Sequence, residues 1–385
     1  MKKLDSESSI ARRIAGKVGK IMLAIILIIL VGVALLTGIL LLRSGGNMKP
    51  FRDSNGGILK GSLSEKVYVT INDVKMGMII KSKDITNPVL LFVHGGPGMP
   101  EYPLMEESSN ALADYFTVVW WDQRGAGLSY SSDISKDTMT TEQFISDTVE
   151  VTNYLRKRFG KEKIYLMGHS WGTFISIQAV AKVPELYHAY IGMGQITNQM
   201  ESERLAYDYM LDYYDRKGDR NAVKRLKSVS LSTSNNLPNE YLSMRDELMH
   251  GCGIGTTHKM RSVVTGIFVP VMWNQEYTLR EKINIWKGKA FSNTTNLRQE
   301  MYDTDITKFV TELKIPVYFF SGIYDYTVNY QMAEEYLKKL KAPIKGFYLF
   351  KESAHSPIFE EPEKVVDIMV KDVLKGRNEL AEETD

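Results

Sequence analysis

Residues 164–183 set an apolar run, a Gly-His-Ser-Trp-Gly turn and a helix-like stretch in immediate succession. Ile164–Met167 reads as a buried strand and Trp171–Val183 as the helix that leaves it. A serine between glycines carries weight as a nucleophile elbow only in that strand–turn–helix setting. The turn is sharp, so glycines stand where side chains would clash, and the hydroxyl of Ser170 is exposed. The helix that begins beside it aims backbone N–H groups at any oxyanion formed there.

The neighbouring sequence supplies the sheet that such a turn needs. Lys66–Asp73 and Val74–Ser82 read as an opening pair of strands. Val89–Val93, Phe116–Trp121, Ala189–Met193, Val317–Ser321 and Gly346–Phe350 are short apolar runs of the kind buried in a sheet. Helical stretches alternate with them: Thr140–Phe159, opened by a Thr141 cap and closed by Gly160, then Tyr330–Leu340 and Pro362–Leu374. This alternation predicts an α/β fold with a mostly parallel sheet flanked by helices. Residues 197–309 break it, being helical in pattern and rich in Tyr, Met and charge. They are expected to form a cap inserted over the sheet's C-terminal edge, where open α/β sheets bind ligands. The core is then 61–196 and 310–385.

The N-terminus reads differently. Ile21–Leu42 is an uncharged, proline-free apolar run of 22 residues. At helical rise it spans roughly 33 Å, enough for a bilayer core. It exceeds the apolar region of a cleaved signal peptide, and only Ser44-Gly45-Gly46 follows it. Residues 21–42 are therefore expected to be a transmembrane anchor. Six Lys/Arg precede it within residues 1–20 and four follow within 43–62. That excess places residues 1–20 in the cytoplasm and the large domain outside. Residues 43–60, polar and glycine-rich, read as a flexible linker.

Charge and cysteine usage exclude other classes. Residues 1–20 hold six basic and two acidic side chains, leaving 42 basic and 44 acidic in the rest. Nucleic-acid binding has no electrostatic support in that balance. Cys252 is the sole cysteine, so neither an intramolecular disulfide nor a cysteine-based zinc site is available. The pair His250 and His258 around Cys252 has no nearby acid and makes a poor metal site, and no metal or cofactor is expected.

A general base must reach Ser170. Of six histidines, His169 is inside the elbow, His94 starts a glycine-rich turn, His188 opens a strand at the far end, and His250 and His258 fall in the cap. His355 remains, just after the last strand. Chain order in this kind of site runs Ser, then Asp or Glu, then His. Asp325, at the end of a strand and thirty residues before His355, is the expected acid. Asp303 and Asp305 sit in the cap or its exit, and Glu352 is too close to His355 in sequence.

Three motifs in order resemble one family. Val93-His94-Gly95-Gly96-Pro97-Gly98 resembles the HGGPG turn of the prolyl aminopeptidase (proline iminopeptidase) family of α/β hydrolases. Asp122-Gln123-Arg124-Gly125-Ala126-Gly127-Leu128-Ser129 resembles its DQRGxGxS loop, and Gly168–Gly172 its GxSWG elbow. The resemblance covers about residues 65–375. It implies an α/β-hydrolase fold and a serine hydrolase with an oxyanion hole from the N–H groups of Trp171 and Gly96. It further implies an Asp122–Arg124 ion pair shaping the loop. Aminopeptidases of the family are expected to bind the substrate's amino group through cap glutamates, typically in a Trp- and Glu-rich stretch. No clear W-x-x-W-E occurs here, and Glu201, Glu203 and Glu276 are the nearest candidates.

The sequence thus predicts a membrane-anchored serine hydrolase acting on small molecules or short peptides through an acyl-enzyme. Aminopeptidase, carboxylesterase and acyltransferase chemistry all remain open. A non-enzymatic surface module on the same fold is the competing class. Epoxide hydrolysis and dehalogenation use a carboxylate nucleophile, against which Ser170 argues.

Overall fold

The computed structural model describes residues 2–105, 108–231 and 236–383. The side chains of residues 1–15 are outside that description, including four of the six basic ones used above to orient the anchor, Lys2, Lys3, Arg12 and Arg13.

Eight strands form one sheet in the order β1-β2-β4-β3-β5-β6-β7-β8. They are β1 (Leu63–Ile71), β2 (Val74–Ser82), β3 (Val89–Val93), β4 (Thr117–Trp121), β5 (Ile164–His169), β6 (Tyr187–Met193), β7 (Val317–Gly322) and β8 (Lys345–Phe350). β1 and β2 pair antiparallel, as do β2 and β4, and every pairing from β4 through β8 is parallel. Strand residues alternate between two buried faces. Leu91, Val93, Val119 and Trp121 enter one core, with α2 (Thr141–Phe159), α3 (Trp171–Lys182) and α10 (Tyr330–Lys339). Leu90, Phe92, Val118 and Trp120 enter the other, with α11 (Pro362–Lys371). Burial on both faces is why these strands read as unbroken apolar runs. α2 is capped by Thr140, whose hydroxyl accepts the Gln143 N–H, rather than by the expected Thr141. The first residue outside the helical dihedrals is the one free to turn its oxygen back onto the helix. Gly160 closes α2 in the left-handed conformation as expected.

Between β6 and β7 run α4 (Gln199–Arg216), α5 (Arg220–Lys227), α6 (Asn239–Gly251), α7 (Val269–Trp273), α8 (Leu279–Ser292) and α9 (Leu297–Asp303). Among the described residues no named strand lies in this interval. The cleft described below opens between these helices and the ends of β3 and β5.

α1 (Lys2–Leu42) contains Gly16–Leu42, a stretch long and apolar enough to cross a membrane, with none of its most apolar part buried. Residues 43–49, expected as part of a flexible linker, lie against the start of α8. Gly46 N–H donates to Gln275 O at 3.0 Å, and Lys49 N–H to Glu276 Oε1 at 2.6 Å. The fully buried Lys282 ammonium donates to Arg43 O at 3.0 Å, Ser44 Oγ at 2.9 Å and Met272 O at 2.8 Å. A buried ammonium requires acceptors, and this backbone supplies them. Glycine content signalled a pliable chain but carried no sign of the cation it serves. The Arg43 guanidinium also lies 5.1 Å from the Trp273 ring centroid.

Candidate active site

Ser170 sits between β5 and α3 with φ 53° and ψ −122°, outside the regions open to most non-glycine residues. Hydrogen bonds hold the strained turn: Ser170 N–H to Met193 O at 3.0 Å and Thr173 N–H to Ser170 O at 2.7 Å. A Cβ at Gly172 would lie 1.9 Å from Val93 O, so no larger residue fits there beside Ser170. Trp171 is the first residue of α3, and its N–H has no acceptor within the helix. Gly95 N–H donates to Glu101 Oε1 at 2.8 Å, while the Gly96 N–H finds no acceptor among the described residues.

Asp325 follows β7 and His355 follows β8, on adjacent strands. His355 Nδ1 lies 2.9 Å from Asp325 Oδ2, and Asp325 Oδ1 accepts the Val328 N–H at 2.9 Å. Both residues are buried. With Nδ1–H donated to the carboxylate, the tautomer leaves Nε2 as an acceptor. The His355 ring lies 4.8 Å from that of His169, the residue before Ser170, so the imidazole stands beside the elbow.

Gln123 laces the three motifs together. Its amide donates to His94 O at 2.6 Å, its carbonyl accepts Trp171 Nε1–H at 3.0 Å, and its N–H donates to His94 Nε2 at 3.1 Å. His94 is buried, which holds its pKa down to about 4. A neutral, fully engaged imidazole is a structural part, not a base. The expected Asp122–Arg124 pair does not form. Arg124 forks onto Asp147 of α2, with Nε–Oδ2 at 2.7 Å and Nη2–Oδ1 at 2.8 Å. Asp122 accepts the Leu128 N–H at 2.7 Å, and burial pushes its carboxyl up to about 8. The Asp122 carboxylate turns back onto its own loop at Leu128, and Arg124 finds its partner on α2, 23 residues away.

One pair had no sign in the sequence reading. His169 Nδ1 is 2.7 Å from Glu101 Oε1, and His169 Nε2 is 2.8 Å from His355 O. Both ring nitrogens face acceptors, which fits an imidazolium. Burial works against charge on both partners, yet each outweighs it for the other: His169 is raised and Glu101 lowered. The result is a charged strut linking the glycine-rich turn, the elbow and the His355 loop. That loop is further tied by Glu360 Oε2, which accepts Ala354 N–H at 2.8 Å. Seen in sequence, Glu101 was only an acid a few residues after HGGPG, and His169 was weighed as a base alone.

A family model described as alpha/beta hydrolase fold matches residues 88–362. A probable aminopeptidase, YbaC, of Bacillus subtilis is 35% identical over 305 residues, covering 79% of this chain and 94% of that protein. A proline iminopeptidase of Saccharolobus solfataricus is 26% identical over 292 residues, covering 74% of this chain and 84% of that protein. Among solved structures, proline iminopeptidase of Mycobacterium smegmatis superposes with a TM-score of 0.55 at 17% identity, over 79% of this chain and 96% of that one. The chain belongs to the α/β-hydrolase family, and within it resembles the prolyl aminopeptidases.

The hydrolase holds a cleft of about 220 Å³ whose lining includes Ser170, Gly96, Gln199, Glu203, Arg245 and Lys289. Of the three cap glutamates, Glu203 alone lines it. Glu203 is buried and gripped by Arg245, at 2.7 Å from Nε to Oε2 and from Nη2 to Oε1. Glu201 pairs with Arg204 at 2.9 Å and lines a separate groove with Asn329 and Met332. Glu276 is buried against Lys81 at 2.8 Å and accepts from the Tyr102 hydroxyl. Arg245, Lys289 and Arg298 were missed, because only the fold brings three separate helices to one cleft.

Proposed function

We propose that this chain is a membrane-anchored serine hydrolase in which Ser170, His355 and Asp325 act as a triad. Ser170 Oγ attacks a substrate carbonyl while its proton passes to His355 Nε2, and Asp325 orients and stabilises the imidazolium. The oxyanion is received by the N–H groups of Trp171 and Gly96. His355 then protonates the leaving amine or alcohol, and water resolves the acyl-enzyme by the reverse proton path. The observation that carries this reading is the 2.9 Å His355–Asp325 contact beside a serine held at positive φ.

The names of the relatives favour release of an N-terminal residue from small or short-peptide substrates. One observation favours the esterase alternative. The single expected glutamate in the cleft is already bound by a guanidinium, which leaves it less able to receive a substrate ammonium. Full-length protein should be assayed with Pro- and Ala-β-naphthylamide, their N-acetylated forms, and p-nitrophenyl acetate and butyrate. Ser170-dependent turnover of the free-amine amides alone supports an aminopeptidase, and turnover of the esters alone supports an esterase. Silence across the set in protein that also fails to react with a fluorophosphonate overturns the hydrolase reading.

We assign residues 21–42 to the anchor, 197–309 to the cap and the remainder of 61–385 to the core, with the core and cap on the extracytoplasmic side. The anchor is supported by an apolar stripe where residues 43–49 dock. Val264, Phe268, Val269 and Trp273 are each more than 40% exposed, on a π-helical turn running into α7. Exposed apolar surface beside the end of an apolar helix fits contact with lipid.

A further inference from the structure

The charges around the cleft do not cancel. Arg245, Lys289 and Arg298 face it, together with Glu203 and Asp246. Both acids are held by one cation. Arg245 binds Glu203 through two nitrogens and Asp246 through Nη1 at 2.9 Å. The Lys289 side chain, on α8, makes no direct hydrogen bond or salt bridge among the described residues, and feels Asp246 only through space. Arg298, on α9, reaches a neutral acceptor, Asn293 Oδ1, at 3.2 Å. Two cations without a direct salt-bridge partner thus line the small cleft that holds Ser170, where three cations face two acids. The Glu101–His169 strut is internally paired and changes nothing in this balance.

We infer that Lys289 and Arg298 bind a carboxylate of the substrate, so that this hydrolase prefers small amides or esters carrying an anionic group. The inference rests on Ser170 being the reactive centre of this cleft. A guanidinium offers a planar fork that matches a carboxylate, and an ammonium adds a mobile point charge. Burial draws the Lys289 ammonium down from its ordinary pKa, so an arriving anion would restore what desolvation removed. A substrate ammonium placed in the same cleft would meet a net positive lining. A short peptide would fit by its terminal carboxylate more readily than by its amine.

The test is binding, so that it does not depend on turnover. Full-length protein with Ser170→Ala, in detergent micelles, is titrated by calorimetry with 4-acetamidobenzoate and with its neutral twin, 4-acetamidobenzamide. The benzoate is expected to bind at least tenfold more tightly. Adding Lys289→Gln or Arg298→Gln singly should each cut that preference several-fold, and the pair together should bring the two ligands within about twofold. Equal binding of the two probes, no saturable binding of the benzoate, or a preference that survives both substitutions would overturn the inference. The comparison of two ligands on one protein stands even where a double variant folds poorly. Loss of all Ser170-dependent hydrolysis would break the hydrolase reading and leave the binding result intact.

Discussion

The floor and the roof of the cleft are built by opposite means. The floor is backbone: three glycine-rich turns at strand ends, Ser170 as the one non-glycine residue held there at positive φ, and N–H groups without acceptors among the described residues. The roof is side chain: Glu203 on α4 meets Arg245 on α6 across 42 residues of sequence, and Lys289 and Arg298 come from α8 and α9. Both contain a buried carboxylate paired with a cation, Glu101–His169 below and Glu203–Arg245 above. The floor's pair sits inside the turns it braces, whereas the roof's pair staples helices. On the proposed reading, backbone geometry would fix reactivity and helix-borne charge would be free to set selectivity.

Substitutions can break this comparison. Ser170→Ala should reduce turnover by about 10³-fold or more and abolish fluorophosphonate labelling, with the melting temperature little changed. Glu203→Gln leaves the Arg245 guanidinium short of its main partner and should cost about 3 kcal/mol, read from denaturant midpoints. Equal loss of activity and stability there would deny that the roof is separable from the chemistry. Gly194→Ala should cut kcat about 100-fold, because Gly194 is at φ 59° and a Cβ would stand 2.9 Å from His355 Cε1.

Glu101→Gln should cost about 2 kcal/mol, since the amide keeps a contact but loses the charge. Its pH dependence tests the strut. Glu101 is lowered in the fold, so its contribution is present above its ordinary 4.5 and fades as pH falls through the folded value. His169 is raised, so its contribution is complete below its ordinary 6.5 and fades as pH rises through the folded value. The gap between wild type and Glu101→Gln should therefore peak near pH 5–6 and shrink toward alkaline pH. A flat difference would mean that His169 is neutral. The smallest effect belongs to the apolar stripe. Phe268→Ser should leave turnover of a soluble ester within about twofold and reduce quenching of Trp273 by brominated lipid in nanodiscs.

Strand-end geometry was readable because its determinants are adjacent. Gly168–Gly172 encodes the elbow within five residues, and Asp325 and His355 come in the expected chain order, after two neighbouring strands. Pairs were misread wherever side chains choose distant partners. Arg124 was matched with Asp122 and lies on Asp147; Glu276 was weighed as a substrate ligand and its carboxylate meets Lys81. Composition likewise suggested a loose linker at 43–49, because nothing local announces the buried Lys282. His169 was discarded by a correct argument that it could not serve as the base, which did not ask what else an imidazole between two acceptors does.

The helix that meets residues 43–46 also reaches the cleft beside Ser170. α8 begins at Thr278–Leu279 beside residues 43–46 and arrives at Lys289 ten residues later, about 15 Å of helix. A rigid rod of that length would act as a spacer, holding the chamber at a set altitude above an anchoring membrane. Encounter would then become a search across a plane, favouring molecules released at or tethered to the surface over those dilute in the bulk. Lengthening residues 43–49 would uncouple that altitude without touching a single reacting group.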